Sequence, residues 1–501
     1  MKRAAGALAL SVLVAMTGLV PSAQAARRPT APVVMVVFDE MPLTSLLDRR
    51  GRIDRVRYPN FAALARGSTW YANATTVADS TKLAIPSILD GRGPRVGVPA
   101  THRGHPRNIF TLLRGRGYRL KVQEEATSLC PYRNCRRRHG AHYFLSRDRL
   151  GRFKRWIGGI GRSRRPTLYY KHALLPHVPW VFTPQLRRYD RSVLGPIKGL
   201  NSSERSVFDP TLVRQSWQRH LLQVGAVDAL LGQIIARMKA TGVYDRASLV
   251  VMADHGVAFH RGATDRRTIL PYNAFDVAPI PLFIKAPRQR RGRISRAMMR
   301  TYDVLPTVAG HIGLRLPAGL SGRSASSNRV RRRGRVKVIS RAPLARIQFS
   351  RGRLAQGRGA ALRRRLALFG SGARSLYSAG PNARLLGRAV GDLRVLRRGR
   401  VRASLNGARD YRRIYRRSSF IPAHVTGRIT GKRSGARRNV AVTVNGRVWA
   451  VTRSVRLRGS RSEYYSALLN PDKLVVGRNR NAIGVYAVGR SRGKYVLRRL
   501  R

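Results

Sequence analysis

The sequence predicts an α/β protein: a mixed sheet flanked by helices, followed by a smaller β-rich, sandwich-like region. Two continuous apolar stretches, residues 33–38 and 247–253, predict buried strands, because neither alternates apolar with polar residues. Residues 212–242 carry apolar side chains at helical spacing. Near the end of the chain, alternating apolar residues flank Asn445-Gly446, which predicts a hairpin with a type I′ turn.

The elements between these stretches alternate between the two types. Pro59 suits the first turn of a helix that stops at Gly67, and a hydroxyl-rich turn at 79–81 opens a short helix that stops at Gly91. Further strands are predicted at 118–125, 168–175 and 280–285, and a further helix from Thr301. This alternation is typical of a sheet covered by helices.

The chain divides into four predicted parts. Residues 1–25 have a basic start, an apolar core and a small-x-small end at Ala23–Ala25, which is typical of a secretory signal peptide. Residues 29–322 form the α/β unit, residues 323–420 an Arg-rich linker and unassigned region, and residues 421–501 the β-rich domain. The signal peptide predicts a secreted or extracytoplasmic, cell-envelope protein. In that setting we expect Cys130 and Cys135 to form a disulfide.

The charge is the unusual feature of the composition. Lys and Arg number 100 against 22 Asp and Glu, a formal net charge of +78 in 501 residues. The excess is spread along the chain, and a basic arm or aromatic-laced basic motif is missing, so no specific nucleic acid is predicted as a partner. Attraction to an anionic cell-wall polymer or a membrane surface is expected at low salt. The oligomeric state is left open.

Polar residues follow two of the buried strands where ligands of α/β sheets bind. Asp39 and Glu40 end the first strand, and Asp254 and His255 end the strand after the long helix. Carboxylates with an imidazole favour one divalent ion, zinc or manganese before calcium or magnesium. A hydroxyl from the turn Asp79-Ser80-Thr81 becomes a usable nucleophile when it is bound to such an ion. The alternative is that Asp39 caps a turn and that Thr81 or Ser80 caps a helix.

The ordered set of motifs resembles the sulfatase-like branch of the alkaline phosphatase superfamily. The matching segments span residues 33–315: VVFDE, YPNFAALARGSTWYANATTV, STKLAIPSILDGRGP, HALLPHVPW, VVMADHG and TYDVLPTVAGHIG. The resemblance implies an alkaline-phosphatase-like sheet with a metal at the strand ends. It also implies a nucleophile ten residues before the Gly that ends a short helix, and counting back from Gly91 gives Thr81.

The same resemblance implies roles for single residues. Thr81 is the implied nucleophile and a metal ligand, with Asp39, Glu40 or both, Asp254 and His255 as the other ligands. His177 is implied as a catalytic or substrate-contacting residue, and His260 and Lys82 as substrate-side residues. His172 is a weaker candidate, with an ordinary strand histidine as the alternative.

One departure from the sulfatase pattern restricts the chemistry. Sulfatases carry a Cys or Ser followed by Pro two residues on and Arg four residues on, whereas this chain has Thr81, Leu83 and Ile85. Formylglycine chemistry is therefore not expected. A Thr resembles the phosphatases and the envelope phosphoethanolamine and phosphoglycerol transferases. The expected function is metal-dependent hydrolysis or transfer of phosphate or sulfate esters through a covalent Thr81 phospho-enzyme. The alternative is a non-catalytic envelope protein that binds anionic polymers through its Arg-rich surface.

Overall fold

The structure is a computed structural model and describes most of the chain. It covers residues 31–132, 135, 148–191, 208–263, 265–341, 345–372, 374–396, 401–431, 437–456 and 462–500. The predicted signal peptide, residues 1–25, lies outside the described residues.

The described residues form eleven α-helices and twenty strands. The helices are α1 Leu43–Leu46, α2 Pro59–Gly67, α3 Thr81–Asp90, α4 Ile109–Arg114, α5 Arg149–Gly158, α6 Pro210–Ala240, α7 Ala274–Val277, α8 Val304–Ile312, α9 Asn328–Arg331, α10 Arg351–Phe369 and α11 Ala408–Arg412. The strands of the first half are β1 Val33–Asp39, β2 Thr69–Tyr71, β3 Arg119–Gln123, β4 Thr167–Pro176, β5 Ser248–Ala253, β6 Leu282–Lys285, β7 Arg293–Ser295, β8 Arg335–Ile339 and β9 Arg346–Ser350. The later strands are β10 Arg394–Leu396, β11 Val401–Ala403, β12 Arg413–Ile414, β13 His424–Gly431, β14 Asn439–Val444, β15 Arg447–Arg453, β16 Val455–Arg456, β17 Glu463–Leu468, β18 Gly477–Arg478, β19 Ile483–Ser491 and β20 Lys494–Leu500.

The central sheet has seven strands in the order β3-β4-β1-β5-β6-β2-β7. Strand β1 lies between β4 and β5 and is parallel to both, with Val37 opposite His172 on one side and Met252 on the other. All seven residues of β1 are buried, as expected for a strand covered on both faces. Strand β6 is antiparallel to β5, so the sheet is mixed. The carboxyl ends of β1, β4 and β5 therefore meet at one edge.

Helix α6 is the longest helix, with 31 residues, and the side chain of its N-cap residue Asp209 accepts hydrogen bonds from two backbone N–H groups. Its length and composition would allow a membrane span, but 67% of its most apolar stretch is buried inside the protein. The two ends of the helix pack in different hydrophobic cores. Leu230, Ile234 and Met238 pack in the core of the central sheet, whereas Trp217 and Leu221 pack in a second core with the C-terminal strands.

Residues 323–420 contain ordered elements that the sequence pattern did not identify. Strands β8 and β9 form an antiparallel pair, and α10 packs on α1 and α7 of the preceding unit. Buried Leu354 and Phe349 belong to a small core shared with Val277 and Met298. Most of the arginines that obscure the helical pattern of α10 are exposed, but Arg365 is buried and Arg358 is half-buried and donates to Asn73 Oδ1.

The C-terminal region is β-rich, as predicted. It forms a five-stranded sheet in the order β10-β20-β19-β14-β15 and a four-stranded sheet in the order β11-β13-β17-β16. The predicted hairpin joins β14 to β15, and Asn445 and Gly446 have φ values of 51° and 75°. Positive φ at both positions is the requirement of a type I′ turn. The fold prediction of an α/β unit with a β-rich C-terminal region is confirmed.

The predicted disulfide joins Cys130 to Cys135, with the two Cα atoms 5.9 Å apart. The bridge lies in the segment after β3, and both sulfur-bearing residues are buried. Glu124, just after β3, accepts backbone hydrogen bonds from Leu129 and Cys130. The loop is therefore held both by a covalent bond and by a buried carboxylate.

Candidate functional site

The candidate site begins where β1 turns sharply. Asp39 ends the strand, and Glu40 follows with φ = 62°, a left-handed conformation that residues with a Cβ rarely adopt. The backbone N–H of Glu40 donates to Asp254 Oδ1 at 3.3 Å, and its carbonyl oxygen accepts from His220 Nε2 at 2.8 Å. These contacts hold the strained turn, and they tie the end of β1 to the end of β5 and to α6.

Thr81 is the first residue of α3 and lies beside this turn. Its Oγ1 is 3.3 Å from Asp39 Oδ2 and 3.2 Å from His255 Nε2. The N-cap residue is Ser80, whose side chain makes no capping hydrogen bond. Gly91 ends the helix with φ = 69°, a conformation that favours glycine. The Thr81 hydroxyl therefore faces the strand ends rather than capping its own helix.

The His255 ring directs its Nε2 atom toward Thr81 and the two carboxylates at the strand ends. Its Nδ1 donates to the carbonyl oxygen of Gly256 at 2.9 Å, which fixes the ring orientation and points Nε2 toward the strand ends. That Nε2 lies 3.4 Å from Asp254 Oδ2 and 3.9 Å from Asp39 Oδ1. Three atoms that carry lone pairs thus converge on one point, where they would repel one another without a cation.

Burial makes the negative charge at this point costly. Burial, and then the neighbouring Asp254 carboxylate, raise the pKa of Asp39 well above its ordinary value. Burial also raises the pKa of Asp254 to about 7. Asp39 Oδ1 and Asp254 Oδ2 are both buried without a hydrogen-bond donor among the described residues.

This donor set fits a divalent cation. Ligand atoms of Asp39, Asp254 and His255 all lie within 4.8 Å of one another, and so do those of Asp39, Glu40 and His177. The first group has two carboxylate oxygens without donors and an imidazole of fixed orientation, the set that zinc or manganese accepts. Thr81 Oγ1 can join it as a fourth ligand. In the second group the Glu40 carboxylate already pairs with Arg266 at 2.8 Å, so its negative charge is neutralised by a side chain.

Glu40, Arg266 and His177 form a buried polar group next to that cluster. Arg266 donates from Nε and Nη2 to the two Glu40 oxygens at 3.0 and 2.8 Å. His177 Nε2 lies 3.2 Å from Glu40 Oε1, and its Nδ1 donates to the Val178 carbonyl oxygen at 2.8 Å. Burial raises the pKa of Glu40, but Arg266 and then His177 outweigh it and hold that pKa well below the ordinary value. Burial lowers the pKa of His177 to about 3, so the imidazole is neutral.

Asp79 fastens the turn that carries Thr81. Its buried carboxylate accepts from the backbone N–H groups of Ile269 and Arg341 at 3.0 and 2.9 Å and from Ser340 Oγ at 3.0 Å. Ile269 follows the Arg266 loop, and Ser340 follows β8. A segment outside the predicted α/β unit therefore helps to shape the site.

Three predicted residues lie outside the cluster or at its edge. Lys82 is exposed. His260 Nε2 is 2.8 Å from Asp276 Oδ2, which also pairs with Arg364. His172 is buried on β4, with Nε2 3.8 Å from Asp39 Oδ2.

Two residues of the site were missed in the sequence. Arg266 is one among 100 Lys and Arg residues, and no motif distinguishes it. His220 sits in the middle of a long apolar helix, where a buried histidine is ordinary. In the structure its ring holds the Glu40 carbonyl oxygen, and burial lowers its pKa to about 4. The left-handed backbone at Glu40 requires a hydrogen-bond donor for its carbonyl oxygen, but a backbone angle cannot be read from the sequence.

A comparison with protein families matches this part of the chain to the family described as Sulfatase. The match covers residues 51–314, more than half of the 501 residues. It includes Thr81, His177, Asp254 and His255, and begins after Asp39 and Glu40.

Single relatives match shorter segments. An ulvan-active sulfatase of Formosa agariphila is 27% identical over 161 residues, which cover 30% of this chain and 29% of the relative. The multifunctional alkaline phosphatase superfamily protein PehA of Trinickia caryophylli is 29% identical over 121 residues, which cover 24% and 23%. The chain thus spans less than a third of the length of these curated relatives. Among solved structures, a 2-O GAG sulfatase has a TM-score of 0.49 at 12% identity, covering 68% of this chain and 91% of that one. The phosphonate monoester hydrolase of Silicibacter pomeroyi has a TM-score of 0.45 at 18% identity, covering 62% and 79%.

Proposed function

The chain belongs to the sulfatase family of the alkaline phosphatase superfamily, and from this we propose that it is an exported, metal-dependent enzyme that hydrolyses or transfers phosphate or sulfate esters. Its nucleophile is the Thr81 hydroxyl. The observation that carries the proposal is the position of Thr81 Oγ1, 3.3 Å from Asp39 Oδ2 and 3.2 Å from His255 Nε2 at the carboxyl edge of the sheet. Ligands of open α/β sheets bind at that edge.

Asp39, Asp254, His255 and Thr81 would hold one divalent ion, which supplies positive charge that lowers the pKa of the hydroxyl and polarises the ester. Zinc and manganese suit the mixed oxygen and nitrogen donors better than calcium or magnesium do. The Glu40 carboxylate pairs with Arg266 at 2.8 Å, and so it holds that guanidinium rather than the ion.

The Thr81 hydroxyl loses its proton to a neighbouring base as its oxygen attacks the ester. Asp39 Oδ2 accepts a hydrogen bond from that hydroxyl, so this carboxylate is placed to take up the proton. The bond from the phosphorus to the leaving oxygen breaks, and the group remains on Thr81 until water or an acceptor hydroxyl removes it. Neutral His177 donates from Nδ1 to the Val178 carbonyl oxygen and accepts from Arg266 at Nε2, so on the substrate side its Nε2 acts as an acceptor and holds Arg266 in place.

The nucleophile favours phosphoryl over sulfuryl transfer. A threonine cannot be oxidised to an aldehyde-bearing formylglycine, and Leu83 and Ile85 occupy the positions where sulfatases carry Pro and Arg. The envelope location rests on the predicted signal peptide and on the Cys130–Cys135 disulfide, since disulfides persist outside the cytoplasm.

The test is turnover of a matched set of aryl esters: phosphate monoester, phosphate diester, phosphonate monoester and sulfate. We expect a phosphate or phosphonate ester to be cleaved, and chelation to abolish cleavage and lower the melting temperature, because a ligand of the native state stabilises it.

Thr81→Ala should lose turnover by several powers of ten while still binding metal, and Thr81→Ser should keep part of the activity. The phosphorylated peptide recovered from wild type should carry its phosphate on Thr81.

The control is Ser80→Ala, which removes the adjacent hydroxyl. Since the Ser80 side chain makes no capping bond, this variant should retain wild-type turnover. An active Thr81→Ala variant, or full activity of metal-free protein, would contradict the proposal. Absence of turnover on every ester, together with strong binding to anionic polymers, would favour the non-catalytic envelope protein that the net charge of +78 also allows.

A further inference from the structure

Three exposed apolar side chains lie close together on the C-terminal region. Ten large apolar side chains are exposed among the residues that the structure describes, and Tyr415, Val475 and Val476 are three of them, with exposed fractions of 53%, 44% and 43%. Strand β12 pairs antiparallel with β18, with Ile414 opposite Gly477. Tyr415 and Val476 are the next residues of the two segments at the same end of this pair. The pairing therefore brings the three side chains into one apolar group.

The apolar group lies on the solvent face of the strand pair. Ile414 points the other way and is buried in the second core. Successive residues of a strand point to opposite faces, so Arg413 and Tyr415 share the outer face, and the Arg413 guanidinium lies over the Tyr415 ring at 4.8 Å. Arg478 is directly opposite Arg413 and therefore belongs to the same face. Apolar and basic side chains thus form a single surface.

A tight turn carries two more arginines beside Tyr415. The Ser418 N–H donates to the Tyr415 carbonyl oxygen at 3.2 Å, so Arg416 and Arg417 occupy the corner of a β-turn. Both are exposed. Arg187 Nη2 donates to the same Tyr415 carbonyl oxygen at 3.0 Å. The turn is therefore held in place before any partner binds.

Four exposed arginines form the basic rim of the apolar group: Arg413, Arg416, Arg417 and Arg478. None of the four forms an ion pair with an acidic residue that the structure describes. The acid of this segment is Asp410, which Arg191 already holds at 2.7 Å. Residues 408–420 contain five arginines and one aspartate, whereas Lys and Arg make up 100 of 501 residues overall. The positive charge of the rim is therefore concentrated and largely unopposed.

An apolar group with a basic rim is complementary to an anionic lipid bilayer. Tyrosine is enriched at membrane–water interfaces, because its ring is apolar and its hydroxyl is polar. Arginine can bury its aliphatic stem beside apolar groups and keep its guanidinium at the level of the headgroups. Each basic residue close to an anionic bilayer strengthens binding by about fivefold. Export, which the signal peptide predicts, would bring this surface to the outer side of a membrane.

A soluble polyanion fits this surface less well. It would contact the four guanidinium groups of the rim but leave the apolar group in water. The Tyr415 ring is already covered on one face by Arg413, whereas a nucleic-acid platform offers open rings on which successive bases stack. A bilayer accounts for the apolar and the basic side chains together.

We propose that the apolar group and its basic rim dock the protein on an anionic lipid bilayer. Tyr415, Val475 and Val476 insert at the level of the headgroups, and the arginines of the rim contact lipid phosphates. This role goes beyond the proposed function, since docking needs neither a metal ion nor the Thr81 hydroxyl. Docking is reversible, because three side chains bury much less apolar surface than a membrane-spanning helix does.

The experiment measures binding of the full chain to phosphatidylcholine vesicles with and without phosphatidylglycerol, over a series of NaCl concentrations. Single-stranded DNA serves as a soluble polyanion for comparison. The rim variant combines three changes: Arg416→Gln, Arg417→Gln and Arg478→Gln. The apolar variant also combines three changes: Tyr415→Ser, Val475→Ser and Val476→Ser.

We expect wild type to bind the vesicles that contain phosphatidylglycerol and to be released by salt. The rim variant should bind them at least about tenfold more weakly, because it loses three basic residues, and its binding should depend less on salt. The apolar variant should bind them about tenfold more weakly, since less apolar surface leaves water. Its binding to single-stranded DNA should equal that of wild type, and this difference distinguishes a bilayer from a soluble polyanion.

The matched control changes exposed residues in and just before β7, where Ile294 is 64% exposed. It combines four changes: Arg290→Gln, Arg291→Gln, Arg293→Gln and Ile294→Ser. This control should bind vesicles within about twofold of wild type, as expected for charges outside the contact. Insertion is measured directly with Tyr415→Trp, whose added fluorescence should be quenched by lipids brominated on the acyl chain. The fluorescence added by Ile294→Trp should not be quenched.

Equal weakening in the rim variant and the control would show that the charge acts diffusely and would overturn the proposal. Wild-type vesicle binding by the apolar variant would also overturn it, and it would assign the rim to a soluble polyanion. If the apolar variant melts early, Tyr415→Ser alone takes its place. Small aryl esters separate docking from catalysis: both variants should turn them over like wild type, and Thr81→Ala should bind vesicles like wild type. Vesicle binding without any turnover would refute only the enzymatic function.

Discussion

Glu40 illustrates how the site depends on single residues. Its left-handed backbone, with φ = 62°, stores strain of about 1–3 kcal/mol, which the contacts from Asp254 and His220 offset. The turn separates two neighbouring acids into different environments. Asp39 faces Thr81 and His255, and Glu40 faces Arg266 and His177. Two adjacent carboxylates thus take different roles.

Arg266→Gln should destabilise the protein by about 3 kcal/mol, because the fully buried Glu40 carboxylate loses its two hydrogen bonds to that guanidinium and keeps only Arg267, 3.9 Å away. The pKa of Glu40, now below its ordinary value, should rise. The stabilisation from a depressed carboxyl pKa is present above the unfolded-state pKa and is lost as the pH falls through the folded-state pKa. In wild type this loss therefore needs strong acid, and in the variant it should begin at a higher pH. Urea unfolding at several pH values measures both effects.

The matched variant is Arg266→Gln combined with Glu40→Gln, which removes both charges. It should recover most of the lost stability, since replacing a whole buried pair costs far less than breaking it. A double variant as unstable as Arg266→Gln alone would show that the guanidinium acts through other contacts.

The sequence predicted the residues at the strand ends and missed those that support them. Asp39, Asp254 and His255 interrupt apolar stretches, so their positions are visible in the pattern. Arg266 lies in a loop without periodicity, in a chain with 100 basic residues. Its partner Glu40 is 226 positions away, and no local rule connects the two.

At the scale of elements, the sequence predicted the long buried ones best. Strands β1, β4 and β5 and helix α6 lie within two residues of their predicted bounds, because each has a strong apolar pattern. Strands β2 and β7, with three residues each, are too short to produce a pattern. Helix α10 contains three glycines and several arginines, and its mean hydropathy is low, so neither propensity nor periodicity indicated a helix.

The packing of α10 on α7 depends on one of those glycines. A Cβ at Gly357 would overlap the ring of Phe275, whereas a Cβ at Gly359 would be 3.4 Å from its nearest neighbour, Arg363 Nη1. Gly357→Ala should therefore destabilise the protein by about 1–3 kcal/mol. Gly359→Ala should stabilise it by about 0.5–1 kcal/mol, since alanine loses less entropy in a helix.

Thermal unfolding of the two variants provides the comparison, because both make the same chemical change in the same helix. The expected order of melting temperatures is Gly359→Ala, wild type, Gly357→Ala. The same shift in both variants would mean that propensity, and not the contact with Phe275, determines the effect.

At the scale of the whole molecule, a buried polar group joins helix α6 to the C-terminal strands. Asp190 accepts from Arg219 of α6 at 3.1 Å and from His424 Nδ1 of β13 at 3.3 Å, and His424 Nε2 accepts from Ser466 Oγ at 2.8 Å. Burial, and then Arg219, lower the pKa of His424 to about 4. The imidazole is therefore neutral in the folded protein at neutral pH.

Stability should fall as the pH decreases from about 6.5 to about 4. In that window the unfolded chain takes up a proton at His424 that the folded protein excludes, so the unfolded state gains up to about 3 kcal/mol. His424→Gln keeps a donor and an acceptor but cannot titrate, so its melting temperature should depend less on pH in this window. The control, His102→Gln, changes a half-buried histidine in the loop before α4 and should keep the wild-type dependence. Identical profiles for wild type and His424→Gln would contradict the assignment.

Helix α6 also sets an order of events during synthesis. Its first half packs against Val425, Val440 and other residues of the C-terminal strands, which are made about 200 residues later. At ribosomal rates of about 5–20 residues per second, Trp217 and Leu221 remain without their packing partners for about 10–40 s. Strand β20, which joins β10 to β19, arrives later still. A nascent chain of this protein therefore exposes an apolar helix for tens of seconds, and that helix is where a chaperone would bind it.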